Sequence, residues 1–393
     1  MYLKRRYSLI IIIALFVSNS VYAQIDSIAK NLIDSVTTKL IDDDIPKKTF
    51  KDKFMYPHRW YAKQLLRPRI TDFDTTYITS TKRKLTIALP FSKKFYGFNI
   101  NDNEENRKID FSPSTYYHVG LNFSNIILTF GFATALRFGE KPNRGTTKNR
   151  DLQLTVIGRR VITDVNYQNY KGFYIHNSNA FAPTQLSDSV IIRSDIKVIS
   201  YGVNTKFIYN YKKYSLRGAF SFTDTQRKSA ASFMTGIYHA HTVFSSGDST
   251  FVRYPLSNSF SALLSSINKI SVITLGINGG YGYTYVNKKI IFSTAVNIGV
   301  GGQKTNYTTI DKVGHSKSLN LSLNVNAKAA LRYDNLKFFT GLLWAYDNNY
   351  SYNSKLFNTE NYVSRIVLFA GYRFSAKRNQ HKILKAMGLI DYN

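Results

Sequence analysis

From Leu319 to Asp334 the chain alternates almost without a break. One parity reads Leu319, Leu321, Leu323, Val325, Ala327, Ala329, Leu331, Tyr333; the other reads Asn320, Ser322, Asn324, Asn326, Lys328, Ala330, Arg332, Asp334. Successive side chains of a strand point to opposite faces, so this is one long strand with a greasy face and a wet face. Strands of globular proteins usually have about 5–6 residues, whereas a tilted strand crossing a bilayer needs about 9–11. The length points to a membrane-crossing ribbon rather than a soluble sandwich.

The pattern recurs. Ile126, Leu128, Phe130 and Phe132 alternate with small or polar residues, as do Ile199 to Tyr209, Tyr214 to Phe222, Ile273 to Tyr285 and Ile290 to Val300. The polar parity is mostly Gly, Ser, Asn and Thr, which suits a crowded, hydrated interior. The apolar parity carries Tyr and Phe near its ends, where membrane barrels place their aromatic girdles. Tight turns at Ser124-Asn125, Arg160 to Thr163, Tyr211-Lys212, Asn287-Lys288 and Asp334-Asn335 alternate with longer polar connections near 138–149, 175–193, 303–315 and 350–361. Short turns on one rim and long loops on the other are the arrangement of outer-membrane barrels.

The expected fold is an all-β, transmembrane, antiparallel up-and-down β-barrel over residues 81–374. The candidate strand segments are odd in number, whereas single-chain bacterial barrels have an even number. If Thr250 to Leu256 adds a strand, the barrel has about 14 strands; if a segment near 213–245 is not part of the wall, it has about 12.

The first residues supply an address. Lys4, Arg5 and Arg6 precede the apolar run Ser8 to Val17 and the small-residue site Val21-Tyr22-Ala23, the layout of a secretory signal peptide (1–23) cleaved between Ala23 and Gln24. The apolar run is about half of the ~20 residues a spanning helix needs. Residues 24–80 form a periplasmic leader: Ile25, Ile28, Leu32, Ile33, Val36, Leu40 and Ile41 share one face of a helix over 25–41, and an irregular linker follows. That helix either packs on itself or a partner, or plugs the lumen. Residues 375–393 form a basic tail.

The chain has no cysteine, which excludes a disulfide framework, a cysteine metal site and a thiol nucleophile. No catalytic motif or cofactor fingerprint is present, so neither a catalytic residue nor a cofactor is assigned. His239 and His241 lie two apart on a strand and share a face, a spacing more typical of polar wall residues than of a metal site. With 53 Lys and Arg against 24 Asp and Glu, the formal net charge is +29. Export and the lack of nucleic-acid motifs argue against a nucleic-acid partner. Arg137, Lys206, Arg217, Asn278, Asn320, Asn324, Asn326, Lys328 and Arg332 fall on the lumenal parity, where cations would favour a small anionic solute. Lys93, Lys94, Lys212, Lys213, Lys288 and Lys289 are assigned to turns, facing outer-membrane lipid and lipopolysaccharide. Ile366, Leu368, Ala370, Tyr372 and Phe374 make an outward face resembling the terminal strand read by barrel-assembly machinery, except that the basic tail follows it.

Several stretches resemble one exported bacterial family. They are Asp74-Thr75-Thr76-Tyr77-Ile78, Arg150-Asp151-Leu152-Gln153-Leu154, Tyr167 to Tyr174, Arg193-Ser194-Asp195-Ile196, and Gln226 to Phe233, with Ala231 where Gly is expected. The family is domain of unknown function 4421. The resemblance covers roughly 74–374 and implies an outer-membrane-type barrel of Gram-negative bacteria with no assigned reaction or functional residues. The expected role is a small pore or a passive wall or binding element, monomeric. The alternatives are a surface protein acting through loops 138–149, 175–193 and 303–315, or a barrel hydrolase acting on lipid or peptide.

Overall fold

The computed structural model describes residues 73–375, apart from 82–83, 115, 125–127, 137–143, 182–189, 248, 312, 316–319 and 353–355. The signal peptide, the leader helix, Arg137 and all of the basic tail but Ser375, which ends the last strand, lie outside the described residues. The strands are β1 (Ile78–Ser80), β2 (Lys84–Asp102), β3 (Arg107–Ser112), β4 (Tyr117–Ser124), β5 (Leu128–Leu136), β6 (Lys148–Ile157), β7 (Val161–Ile175) and β8 (Ile191–Ile208). They continue with β9 (Asp224–Gln226), β10 (Ala230–Ser245), β11 (Ile267–Asn287), β12 (Ile290–Thr309), β13 (Val313–His315), β14 (Asn320–Asp334), β15 (Phe338–Ser351) and β16 (Phe357–Ser375).

One antiparallel ring runs β2-β4-β5-β6-β7-β8-β10-β11-β12-β14-β15-β16 and closes where β16 pairs with β2. Among the described residues twelve strands thus form the wall, an even number. β1, β3, β9 and β13 stand outside the ring. The stretch 213–226 does not join the wall: it holds a helix, α1 (Leu216–Phe220), and the short strand β9. Thr250 to Leu256 forms no strand. It leads through a 3-10 turn at Leu256–Ser259 into helix α2 (Ala262–Ser266).

The wall's outward face is apolar. Ile277, Leu275, Ile298, Ile237, Leu321, Leu331 and Leu368 are all exposed on it, and Tyr281, Tyr285, Phe292, Tyr333 and Tyr372 flank the band near the tight turns. In water such a surface would be an aggregation hazard; in hydrocarbon it is the expected solvent contact. This face includes Ile366, Leu368, Tyr372 and Phe374 on β16, with Ala370 half-buried between them.

The inward face changes along the strands, which the alternation alone does not reveal. Midway it is polar, with Asn278, Asn297, Asn324 and Asn326 buried. Toward the long loops the same parity turns apolar: Thr274 gives way to Val272 and Ile270, Ser200 to Val198 and Ile196, and Lys94 to Tyr96, Phe98 and Ile100. These side chains enclose Phe251, Val252, Leu256, Phe260 and Leu264, so residues 251–264 complete a conventional core inside the barrel's outer end. Phe98 lies 4.7 Å from Phe111 and 4.8 Å from Phe244, ring centre to ring centre. Each fully buried ring of this kind contributes on the order of 1.5–3 kcal/mol. Polar anchors fix the insertion: Asp102 Oδ2 accepts from the Ser261 amide at 2.7 Å, and Arg193 donates to the Thr250 and Phe251 carbonyls.

The tight-turn end is closed by a different device. α1 enters the mouth, capped by Ser215, whose hydroxyl accepts from the Gly218 amide at 3.0 Å. β9 follows and pairs with β1, Ile78 opposite Gln226 and Ser80 opposite Asp224. Residues 78–80 are therefore an ordered strand rather than the end of an irregular linker. Phe222 stacks on Phe369 at 4.2 Å, and Arg332 Nη1 donates to the Gly218 carbonyl at 2.7 Å.

A candidate chamber with a side opening

Between the two closures the interior is a layer of buried polar side chains, the candidate binding chamber. Lys206 on β8 donates to Asn326 Oδ1 on β14 at 3.1 Å, and Asn326 donates to Asp347 on β15 at 2.9 Å. Lys328 lies 4.0 Å from Asp164 on β7, which also accepts from Thr155 at 2.7 Å. Asn278 donates to Asn204 at 3.1 Å. The sequence reading placed Lys206, Asn278, Asn324, Asn326 and Arg332 inward, and all are buried there; Lys328 and Asn320 are half-buried. Arg332 belongs to the lower closure, and Arg217 is buried on α1 rather than standing on the wall, because its segment is helical. The acids Asp164 and Asp347 carry most of what that reading missed. They face Lys206 and Lys328, with Arg365 on β16 a further inward cation, so the chamber is not a bare cationic funnel.

A second cluster lies nearer the long loops. Lys93 and Lys94 are within β2, not at a turn, because that strand is much longer than a single crossing requires. Lys93 sits over the Tyr117 ring, 4.7 Å from its centre. Lys94 points inward and pairs with Asp151 at 2.5 Å, and Tyr170 donates to the same carboxylate at 2.5 Å. Tyr170 stacks on Tyr96 at 4.4 Å. Ser114, His118 and Asn149 line a small cleft beside Lys94. Asp151 and Tyr170 both fall in stretches that carry the family resemblance, which was the available signal.

The wall opens beside this cleft. β5 is paired with β4 along its length, and β6 with β7 along its length. β5 and β6 meet only at Leu128 opposite Val156 and Thr129 opposite Thr155. Beyond that, residues 130–136 and 148–154 are not partnered across the gap. Residues 148–153 are exposed on both faces of their strand, and so reach water from the lumenal side as well. Above the gap β3 leaves β2 and reaches β7, Phe111 opposite Ile175. Unpaired strand edges are costly in hydrocarbon, at several kcal/mol per unsatisfied group. They are tolerated where water or a bound molecule supplies the hydrogen bonds.

His239 and His241 share the outward face of β10. His241 Nε2 lies 2.9 Å from Ser271 Oγ, and its Nδ1 contacts the Tyr201 hydroxyl. Among the described residues no group of three His, Asp or Glu side chains is placed to hold a metal ion.

No curated protein matches the chain. Among solved structures it is similar to the outer membrane protease OmpT from Escherichia coli, with 8% identity, TM-score 0.32, and coverage of 75% of this chain and 98% of that one. It is also similar to the translocator domain of the autotransporter NalP from Neisseria meningitidis (11% identity, TM-score 0.31, coverage 82% and 98%). A third is the Pseudomonas putida toluene transporter TodX (6%, TM-score 0.24, coverage 80% and 94%). The family described as domain of unknown function DUF4421 matches residues 72–374, and the chain belongs to that family.

Proposed function

We propose that the protein is an outer-membrane β-barrel of a Gram-negative cell that serves as a closed-ended binding element. It takes a small polar or anionic solute into the chamber through the β5–β6 side of the wall. One observation carries this reading: the chain's own residues fill the barrel at both ends, while the wall parts beside Lys94, Asp151 and His118. The signal-peptide layout of residues 1–23 and the apolar outward band support the address. A through-pore reading fares worse, because a solute moving along the axis would have to displace either the core around Phe251 and Phe260 or the plug around α1. The test is single-channel recording of the full chain in planar bilayers. A closed binding element gives no steady stepped current, whereas a stable ohmic conductance overturns the reading.

The outward chain Tyr201–His241–Ser271 favours one second reading, a hydrolase acting on membrane lipid. With Nδ1 held by Tyr201, His241 Nε2 could accept the Ser271 proton as the hydroxyl attacks an ester carbonyl, return it to the departing lipid alcohol, and then take one from the water that frees the fatty acid from the acyl-serine. Fatty-acid release that survives Ser271→Ala removes this reading.

A further inference from the structure

Five adjacent strands place their outward residues in one row near the long-loop end of the wall. Lys148 on β6 stands opposite Lys171 on β7, and Lys171 opposite Lys197 on β8. Lys197 is opposite Ser245 on β10, and Ser245 opposite Lys269 on β11. Parity puts all five on the outer face, with Asp151 and Tyr170 pointing the other way. Lys148, Lys171 and Lys269 are exposed, and Lys197 is half-buried. Like charges directly opposite on neighbouring strands are destabilising, and here three stand side by side.

No acid among the described residues relieves them. Among the described residues none of the four lysines makes an ion pair. The nearest acid along β8, Asp195, already accepts from Arg193 at 2.9 Å and Arg253 at 3.0 Å. Two residues further toward the apolar band the row reads Arg150, Asn169, Ile199, Val243, Ser271, adding another cation. Two residues further again it reads Leu152, Tyr167, Tyr201, His241, Ile273, with exposed Lys304 beyond Ile273. On each strand the lysine position thus stands about 10 Å above the aromatic or aliphatic residue four positions along, allowing for strand tilt. At that height lie the phosphate groups of a lipid whose tails contact the band below.

We propose that the row Lys148–Lys171–Lys197–Lys269 is a docking surface for phosphate-bearing lipid of the surrounding leaflet. It spans about 20 Å at ordinary strand spacing, enough for more than one phosphate. Charge complementarity selects this occupant: the row lies on a lipid-facing wall, has surplus positive charge, and ends at Lys148 on the edge of the side opening. The inference does not rest on the chamber's taking a ligand.

The test reconstitutes the full chain in phosphatidylcholine nanodiscs containing a minor fraction of phosphatidic acid and measures the lipid retained after detergent extraction. Phosphatidic acid is expected to be enriched about five-fold or more over its share in the disc. The variant K148S/K171S/K197S/K269S should lower that enrichment to within about two-fold of the disc composition, since less than about half of one lysine's attraction then remains. A control removing four cations at the opposite rim, K212S/K213S/K288S/K289S, should keep it. All of these residues are on exposed turns or the outer wall, and gel migration before and after heating verifies that each barrel is folded. Enrichment that persists in the first variant, falls equally in both, or is absent from the unaltered protein overturns the proposal. Displacement of the lipid by millimolar inorganic phosphate would also overturn it, by showing that the surface reads free anion rather than lipid.

Discussion

Arg373 on β16 grips Asp334 at the end of β14 with both terminal nitrogens, at 2.8 and 2.9 Å, and both side chains are buried. The same Asp334 accepts from Thr225 on β9 at 3.2 Å and lies 3.4 Å from Arg332 Nε, while Arg373 also donates to the Phe222 carbonyl at 3.1 Å. Two wall strands and the plug therefore meet on one carboxylate. Breaking a buried pair from one side leaves a charge unmatched and costs about 3–5 kcal/mol. Asp334→Ala is expected to lower stability by that amount, read as a lower temperature at which the folded gel band is lost. The double variant D334A/R373M should recover only part of the loss, because Arg332 still faces that gap, whereas D334A/R332M/R373M, which leaves no buried charge there, should recover much of it.

The long strands were legible because a period of two over fifteen or more residues has few competing explanations. The segment around α1 was not. Tyr214, Leu216, Phe220 and Phe222 alternate, but Leu216 and Phe220 also stand four apart, as a helix face requires. Ser215 three residues before Gly218 was the signal for a cap, and it was hidden by the alternation around it. The outer core was half visible, since Ile196, Val198, Phe98 and Phe244 share the lumenal parity with polar residues further down. What could not be read was the gap between β5 and β6. Both segments look like ordinary strands, and whether two edges pair depends on partners far away in sequence.

The break in the wall makes a sharp cross-linking contrast. Thr163 and Thr205 face each other on β7 and β8 with hydroxyl oxygens 3.1 Å apart. Thr163→Cys with Thr205→Cys is expected to oxidise to a disulfide, because paired strands bring Cα atoms within the usual 4.4–6.8 Å or so. Continuing the β5–β6 register would set Thr134 opposite Arg150, yet that ladder stops at Thr129. Thr134→Cys with Arg150→Cys should stay reduced under the same oxidant. Non-reducing gel migration separates the two outcomes, and the cysteine-free background leaves no side reaction.

Water access to the chamber can be read in the same background. Asn149 and Gln153 are exposed on the inward face of β6, whereas Asn278 on β11 is buried at 4%. In intact proteoliposomes a charged maleimide is expected to label Asn149→Cys and Gln153→Cys at least about ten-fold faster than Asn278→Cys, since modification needs an accessible thiolate. Equal rates at all three positions would mean that the lumen is uniformly wet.

Phe222 shows how the plug balances backbone strain against packing. Its φ is +58°, in the left-handed region that costs a residue with a side chain about 1 kcal/mol or more. The ring offsets this by stacking on Phe369 and lying 5.6 Å from Phe339, with the Arg332 guanidinium 5.1 Å from its centre. Phe222→Ala removes the ring and keeps the strained backbone, so it should cost about 2–4 kcal/mol. Phe222→Gly loses the same contacts and releases the strain, although the unfolded chain gains freedom. The glycine variant is therefore expected to be the more stable of the two by up to about 1 kcal/mol, an inversion of the usual preference for Ala over Gly. Thermal loss of the folded gel band in the two variants checks the order. If the ordering runs the other way, the turn at Phe222 is not held in the left-handed conformation, and the plug enters the mouth along a different path.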